Sequence, residues 1–564
     1  MDESRFTNGP PRLAGRTIVA TVRAGGFMVQ TRRQFFATAT ALAALSLGRA
    51  GAAQPPGPPR QSLTAFAADP VRVAALRRGV AAMKALPGSD HRSWFFWAAV
   101  HAYGDALFDA EAKRDPKLKT VDADRYWNKC PHFGQSSADF AIWHRAYLHF
   151  FERTLRAMSG DPSLALPYWD YGSEEGRVFP AIFAPKYLDR ANSIENPLFH
   201  PNREASFARG LLEISAAIGQ APKTAASSTF FHAVGAPGFG GDALDSDHTQ
   251  IGLLEQRPHN DIHLAVGGVI DDANGAMAEI TTAAFDPVFW VHHANIDRLW
   301  ARWASEPGKD WGPLPPLDWF DETPWLFVDV DGSDVRVSRR DAIALLATYD
   351  VDYSSQLPLP ASPPPPPAPV ASASGGDNAM ATAMPPMVGA AAPRPLHRAR
   401  PRDRELFADR TPLVVSPKNA GRRRFGAAAA AAMAPGQAAA APPVGALVAP
   451  ELSDSTSKVL LELSGISFTL VPSSGFAVYL DSAGEAASTE PVGLIDIFGA
   501  THRMAGMGGT MAAQRFDVTA ILRRSPGPYT LRVEPYTLLV THEGKPSRSR
   551  SDTVKIASVR FVAI

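Results

Sequence analysis

One cysteine in 564 residues, Cys130, excludes an intrachain disulfide, so stability has to come from packing or from a metal. Net charge is missing too, because 56 Lys and Arg balance 56 Asp and Glu. With no global positive field to hold a nucleic acid or an anionic membrane surface, a nucleic-acid partner is not expected. The apolar stretch from Ala37 to Leu47 is too short to cross a bilayer, so no membrane span is expected. What remains is an ordinary folded composition, 45% hydrophobic and 20% charged, long enough for two or three folded units.

The N-terminus reads as an address. Thr31-Arg32-Arg33-Gln34-Phe35-Phe36, the apolar run and the small residues Ala50-Gly51-Ala52-Ala53 have the order of a signal peptide of the twin-arginine export type. Met28 stands just before it, so the start is expected there and residues 1–53 are expected to be absent from the mature chain.

Residues 62–311 carry amphipathic helical patterns at Val71 to Leu86, Trp94 to Asp109, Phe140 to Ala157 and Pro287 to Ala304. Residues 312–357 follow as a short middle segment. Residues 358–454, with Pro363 to Pro367, the alanines 427–432 and scattered arginines, have too few large apolar groups to offset their ordering entropy and read as a mobile linker. From 455 to 564 short β patterns alternate with turns: Val459-Leu463, Phe476-Leu480, Leu494-Phe498, Phe516-Leu522, Tyr529-Val533 and Val554-Val562. The expected fold is a mainly α domain followed by a small C-terminal β-sandwich.

Histidine placement carries the chemistry. His259 and His263 stand four apart, so on a helix both imidazoles project from one face and can hold one ion. His292 and His293 follow Asp286-Pro287, a helix start, and lie about 100° apart around that helix, so one of them can join the first pair. His101, His132 and His144 lie earlier, His132 in a loop after Pro131. Two groups of three imidazoles suit copper, zinc, iron or nickel. Asn260 stands where a zinc peptidase needs a glutamate, and the Glu-x-x-His pairs of a bundled di-iron site are missing. A blue-copper site built on Cys130 would leave the second group unexplained.

Cys130-Pro131-His132, the run from Phe140 through Trp143-His144-Arg145 to Glu152, Pro258 to His263 and Asp286 to Asp297 resemble the type 3 copper proteins, specifically tyrosinase and polyphenol oxidase. The resemblance covers residues 90–305 and implies a four-helix bundle holding two copper ions. It implies His101, His132 and His144 as ligands of the first copper and His259, His263 and His293 as ligands of the second, with His292 a neighbour. The interval from His132 to His144 is longer than the family pattern. The resemblance further implies a thioether from Cys130 to His132, Glu255 and Asn260 as holders of a water that accepts a phenol proton, and Phe289, Ile280 and Leu264 as lining of the substrate pocket. The middle domain and the segment Phe476 to Asp481 are similar to the plant-type enzymes, whose β domain covers the site.

The implied activity is ortho-hydroxylation of monophenols with O2, oxidation of catechols to quinones, or both. Catechol oxidation alone, and an oxygen-binding protein without phenol oxidation, are the alternatives. A further reading makes the β domain a copper-handling module through His502, Met504, Met507 and Met511.

Overall fold

A computed structural model describes residues 57–219, 227–351 without 246 and 272, 356–362, 404–409, 413–415, 421–424, and 458–563 without 469–473, 483–484, 499–510, 525–528 and 548–552. The export segment, Met28, His502, Met504 and Met507 lie outside the described residues.

The helices that matter for the site are α1 (Pro70–Ala85), α2 (Trp94–His101), α3 (Asp105–Arg114), α4 (Asp139–Ser159), α5 (Asn260–Gly267) and α6 (Val288–Ser305). Ser93 opens α2 by accepting the Phe96 N–H, and all eight residues of that helix are buried, as its unbroken apolar sequence requires. The single helix expected from Trp94 to Asp109 is two. Asn128, Lys129 and Cys130 donate their backbone N–H groups to the carbonyls of Ala99, Val100 and His101, so a neighbouring loop takes the last carbonyls of α2 and ends it at His101. The same bonds bring Cys130 beside His101.

Helix α4 stops at Gly160, in the left-handed region at φ 69°. Asp286 accepts the Val288 N–H at the start of α6 and is itself held by Arg203 at 2.6 and 2.7 Å. Between α4 and α6 the packing is aromatic, with Phe151 stacked on Trp290 and Tyr147 tilted against the same ring at 4.9 Å. One buried ionic node ties the two helices. Asp297 of α6 accepts from Arg145 of α4 at 2.6 Å, from Arg60 at 3.1 Å and from the Tyr349 hydroxyl at 2.7 Å. The middle segment adds the hairpin Trp325–Val328 with Asp334–Val337 and the helix Arg339–Ala344, whose Arg339 grips Asp139 at the start of α4 at 2.6 Å.

The C-terminal strands are β1 (Arg404–Asp409), β2 (Leu413–Val415), β3 (Gly421–Arg424), β4 (Val459–Ser464), β5 (Ser474–Ser482), β6 (Gly493–Leu494), β7 (Gln514–Asp517), β8 (Tyr529–Thr537), β9 (Leu539–Val540), β10 (Val554–Ile556) and β11 (Ser558–Ala563). They form antiparallel sheets in the orders β3-β8-β5-β6 and β7-β4-β11-β1, with β2 paired to β10. The expected linker is thus corrected at three places: β1, β2 and β3 come from it and complete the sheets. Their composition alone does not announce strands, but β8, β10 and β11 offer unpaired edges that they cover. The expected strand Phe516-Leu522 ends at Asp517, whose carboxylate accepts the Thr519 N–H and starts the helix Thr519–Arg524. The expected strand Leu494-Phe498 leaves its ladder after Leu494 and turns toward the helical domain. No described helix is long and apolar enough to cross a membrane.

Burial alone would raise the Asp297 carboxyl, but Arg145 and Arg60 hold it below its ordinary value. Its stabilising contribution is therefore complete above the ordinary carboxylate range, about pH 4, and is lost as pH falls through the depressed value. Asp297→Asn should cost about 3–5 kcal/mol by leaving two guanidinium groups buried without their counterion. In denaturant titrations at neutral pH its midpoint should drop and its loss of stability on acidification should be shallower than in the parent chain; an unchanged midpoint would show that the node is not holding the helices together.

Candidate metal centre

Four helices deliver the buried imidazoles. His101 ends α2, His144 lies in the second turn of α4, His263 lies on α5 directly after His259, and His292 and His293 lie on α6. His259, His263, His292 and His293 bring a ligand nitrogen each to within 4.8 Å of one another. His101 and His144 form a second group at the same spacing with the Cys130 sulfur. The two groups adjoin, since His144 stacks on His293 with ring centres 4.3 Å apart and an interplanar angle of 15°.

Three of these rings are fixed by one nitrogen. His144 Nδ1 donates to the Phe140 carbonyl at 2.7 Å, His263 Nδ1 to the Met277 carbonyl at 2.8 Å, and His259 Nδ1 to Asn260 Oδ1 at 2.7 Å. The other nitrogen is thereby left as a lone-pair donor aimed inward. His263 Nε2 stands 3.3 Å from His293 Nε2. Nε2 of His144 and His259, Nδ1 of His101 and His293, and both nitrogens of His292 are buried with no hydrogen-bond partner. Gly267 permits one of these arrangements. A Cβ there would fall 2.2 Å from the Ala278 nitrogen, so only glycine lets the strip carrying Met277 lie against α5.

Burial pushes His144 and His263 down to about 3, and pushes His101, His259, His292 and His293 well below the ordinary imidazole value. Neutral imidazoles with orphaned, convergent lone pairs and backbone-anchored second nitrogens are the donor set of a copper pair. The residues present fit that cofactor.

The grouping differs from the sequence expectation in two respects. His292, expected as a neighbour, stands in the group of His259, His263 and His293. His132 falls in a different group from His101 and His144: its Nε2 lies 2.9 Å from Glu255 Oε1, and His248 Nε2 lies 2.7 Å from the same oxygen. The rings of His132 and His248 are 4.5 Å apart. Cys130 Sγ lies 3.2 Å from His132 Nδ1, the neighbourhood that a thioether to that ring requires.

Phe289 touches the centre from the protein side, against His293 at 4.1 Å and His101 at 4.9 Å. Ile280 and Leu264 are buried, and the Ile280 backbone hydrogen-bonds the His101 ring. The open face of His263 is covered by Phe498 of the β domain, stacked at 3.9 Å and 26° and meeting His259 edge-on at 5.5 Å. Asp496, two residues before it, accepts from Asn260 Nδ2 at 2.8 Å and is clamped through its backbone by the Gln514 amide. His248 and Phe498 were not among the residues expected at the site. His248 stands in a polar run, Asp245 to Gln250, with no helical spacing to another histidine, and Phe498 reads as one more strand residue.

Residues 91–306 match the common central domain of tyrosinase. The chain is 30% identical over 284 residues to tyrosinase HcTyr1 of Hahella sp. (strain CCB-MM4), covering 47% of this chain and 57% of that one. It is 27% identical over 292 residues to the chloroplastic polyphenol oxidase of Spinacia oleracea, covering 47% and 42%. These matches span about half the length of the curated relatives. In fold it is similar to latent apple tyrosinase, with a TM-score of 0.51 at 22% identity, covering 91% of this chain and 98% of that one. Residues 91–306 are therefore a tyrosinase central domain, the part that this chain shares with these tyrosinases and polyphenol oxidases.

Proposed function

We propose that the chain is a dicopper phenol oxidase that uses O2 to hydroxylate monophenols at the ortho position and to oxidise catechols to ortho-quinones, and that the β domain holds it in a latent state. The observation that carries this reading is the convergence of buried, neutral imidazoles on one another beneath an aromatic ring contributed by a separate domain. His101 and His144, with His132, are assigned to one copper, and His259, His263 and His293 to the other. The copper pair, when bound, supplies the two-electron chemistry with O2.

The chain supplies position and proton handling. A phenol ring lies where Phe498 lies now, against the His263 face, with Phe289 fixing the rings behind it. Leu264 and Ile280 bound that pocket. Asn260 and Glu255 hold the water that takes the phenol proton, a step a monophenol needs to bind as phenolate. In the closed chain Asn260 is engaged by Asp496, so the β domain occupies both the ring site and the proton acceptor. The twin-arginine segment at Arg32-Arg33 supports export by a route that carries folded, cofactor-loaded proteins.

Two measurements test this reading. Metal analysis should give copper in the central domain, and exposure of the reduced protein to O2 should produce a near-ultraviolet band that a zinc-loaded chain does not give. Quinone formation from catechols then separates an oxidase from an oxygen-binding protein. Phe498→Ala in the full-length chain removes a stacked ring worth about 2 kcal/mol of closure, so kcat/KM for a catechol should rise about tenfold or more; an equal or lower value would remove the covering role from Phe498.

Asn260→Gly should lower the hydroxylation of monophenols by a larger factor than the oxidation of catechols, because only the former depends on a base for a phenol of high pKa. Equal losses on both substrates would reassign Asn260 to structural support of His259.

A further inference from the structure

Phe498 covers the ring site, yet the strand that leads to it ends at Leu494. Strand β6 pairs with β5, and the ladder closes with the Ile495 N–H on the Phe476 carbonyl at 2.9 Å. The backbone of the following residue is taken by a side chain. Gln514 Oε1 accepts the Asp496 N–H at 2.9 Å, and Gln514 Nε2 donates to the Asp496 carbonyl at 2.7 Å. One primary amide thus makes the pair of bonds that a neighbouring strand would make. Gln514 stands on β7, opposite Leu463 of β4, and so belongs to the other sheet. The strap 496–498 therefore begins at the edge of one sheet and is pinned by a side chain from the edge of the other.

Elsewhere the β domain is joined to the helical domain through backbone. Strand β9 forms a two-stranded sheet with Glu213–Ile214, and the Ser215 N–H continues it to the Leu538 carbonyl at 2.9 Å. The Arg515 N–H donates to the Thr249 carbonyl at 3.1 Å, and Asp517 accepts the Gly235 N–H at 2.7 Å. Lifting the whole domain breaks these bonds together with the one from the buried Tyr536 hydroxyl to Asp261, whereas freeing the strap breaks none of them. Freeing the strap gives up side-chain contacts, among them the Gln514 pair, the Asn260–Asp496 bond and the Phe498 stack. Gln514 and Asp496 both line a cleft at the domain boundary beside Gln256 and Met511, so water can replace the amide when it lets go.

We propose that the Gln514 side chain is the latch of the cover, and that the site opens by release of Asp496 to Phe498 while the β domain stays docked. Gln514 is a positioning residue that acts on the site through Asp496 and Phe498. This rests on the covering role given to Phe498 above and adds how the cover moves.

Hydrogen exchange on the copper-loaded full-length chain reads the strap and the docking separately. In Gln514→Leu the Asp496 amide should exchange about tenfold faster, as expected from the loss of two hydrogen bonds, while the Ser215 and Gly235 amides keep their native rates. The kcat/KM for a catechol should rise with it, also about tenfold. Gln514→Glu keeps the side-chain length and an oxygen for the Asp496 N–H but cannot donate to the Asp496 carbonyl, and it should shift both readouts in the same direction. Faster exchange at Ser215 and Gly235 as well would mean that the whole domain leaves, and would overturn local opening. Native exchange at Asp496 would remove Gln514 as the latch, as would faster exchange there with unchanged turnover in a chain that Phe498→Ala activates. If no protein, Phe498→Ala included, oxidises a catechol, the phenol oxidase reading fails, and the exchange rates still decide whether the strap opens by itself.

Discussion

Every feature of the centre depends on a division of labour within the imidazole ring. An imidazole held by neither nitrogen rotates, and one held by both has no lone pair to offer. The rings of His144, His259 and His263 are each held by Nδ1, two by a backbone carbonyl and one by a side-chain amide, so the free nitrogen points inward by construction. Burial then keeps the rings neutral. The helices are the means to this end. The Phe140 carbonyl reaches His144 because they are one turn apart on α4, and the Met277 carbonyl reaches His263 because Gly267 lets two backbones touch. The ionic node at Asp297 and the aromatic stack between Phe151 and Trp290 hold α4 and α6 at the separation at which His144 and His293 overlap.

The parts of this arrangement that are local were legible in the sequence. The four-residue spacing of His259 and His263, the start of α6 at Asp286 and the limits of α1, α4 and α6 follow from periodicity and capping, and the structure has them within a residue or two. The parts that were not legible are nonlocal. Helix α2 ends where a loop almost thirty residues away takes its carbonyls, and locally only Gly104, which opens the next helix, marks the break. Strands β1, β2 and β3 exist because distant strands need partners. His248 reaches Glu255 across a turn in which it adopts a positive φ of 55°, a conformation that a sequence pattern does not report. Phe498 looks like core until the strand carrying it is seen to leave its sheet.

The β domain holds the stretch Gln256 to Asp261 of the helical domain through several side chains. Gln256 accepts the Leu494 N–H at 3.1 Å, Asn260 donates to Asp496, and Asp261 accepts the Tyr536 hydroxyl at 2.6 Å. Arg257 lies 4.2 Å from the centre of the Tyr536 ring and pairs with Asp261 at 2.8 Å. These residues flank His259 in the chain, so the surface by which the domain docks and the segment that carries His259 and His263 are the same piece of polypeptide. Docking and ligand geometry are therefore coupled without any relay between distant sites.

That coupling has a direction. Burial raises the Asp261 carboxyl while Arg257 pulls it back down, and burial carries the Tyr536 hydroxyl well above its ordinary value. The pair is hydrogen-bonded only while the domain stays docked, since separation exposes both groups to water, where the carboxylate is solvated and the bond is worth little. Asn260 differs, because its oxygen stays on His259 whether or not its nitrogen is held by Asp496. The β domain thus takes up a hydrogen-bond donor and a ring face of the site while the bond that fixes the His259 ring comes from the helical domain. The β domain hydrogen-bonds the groups beside the imidazoles and meets the rings themselves only through the carbon face of Phe498, so those bonds use no imidazole nitrogen.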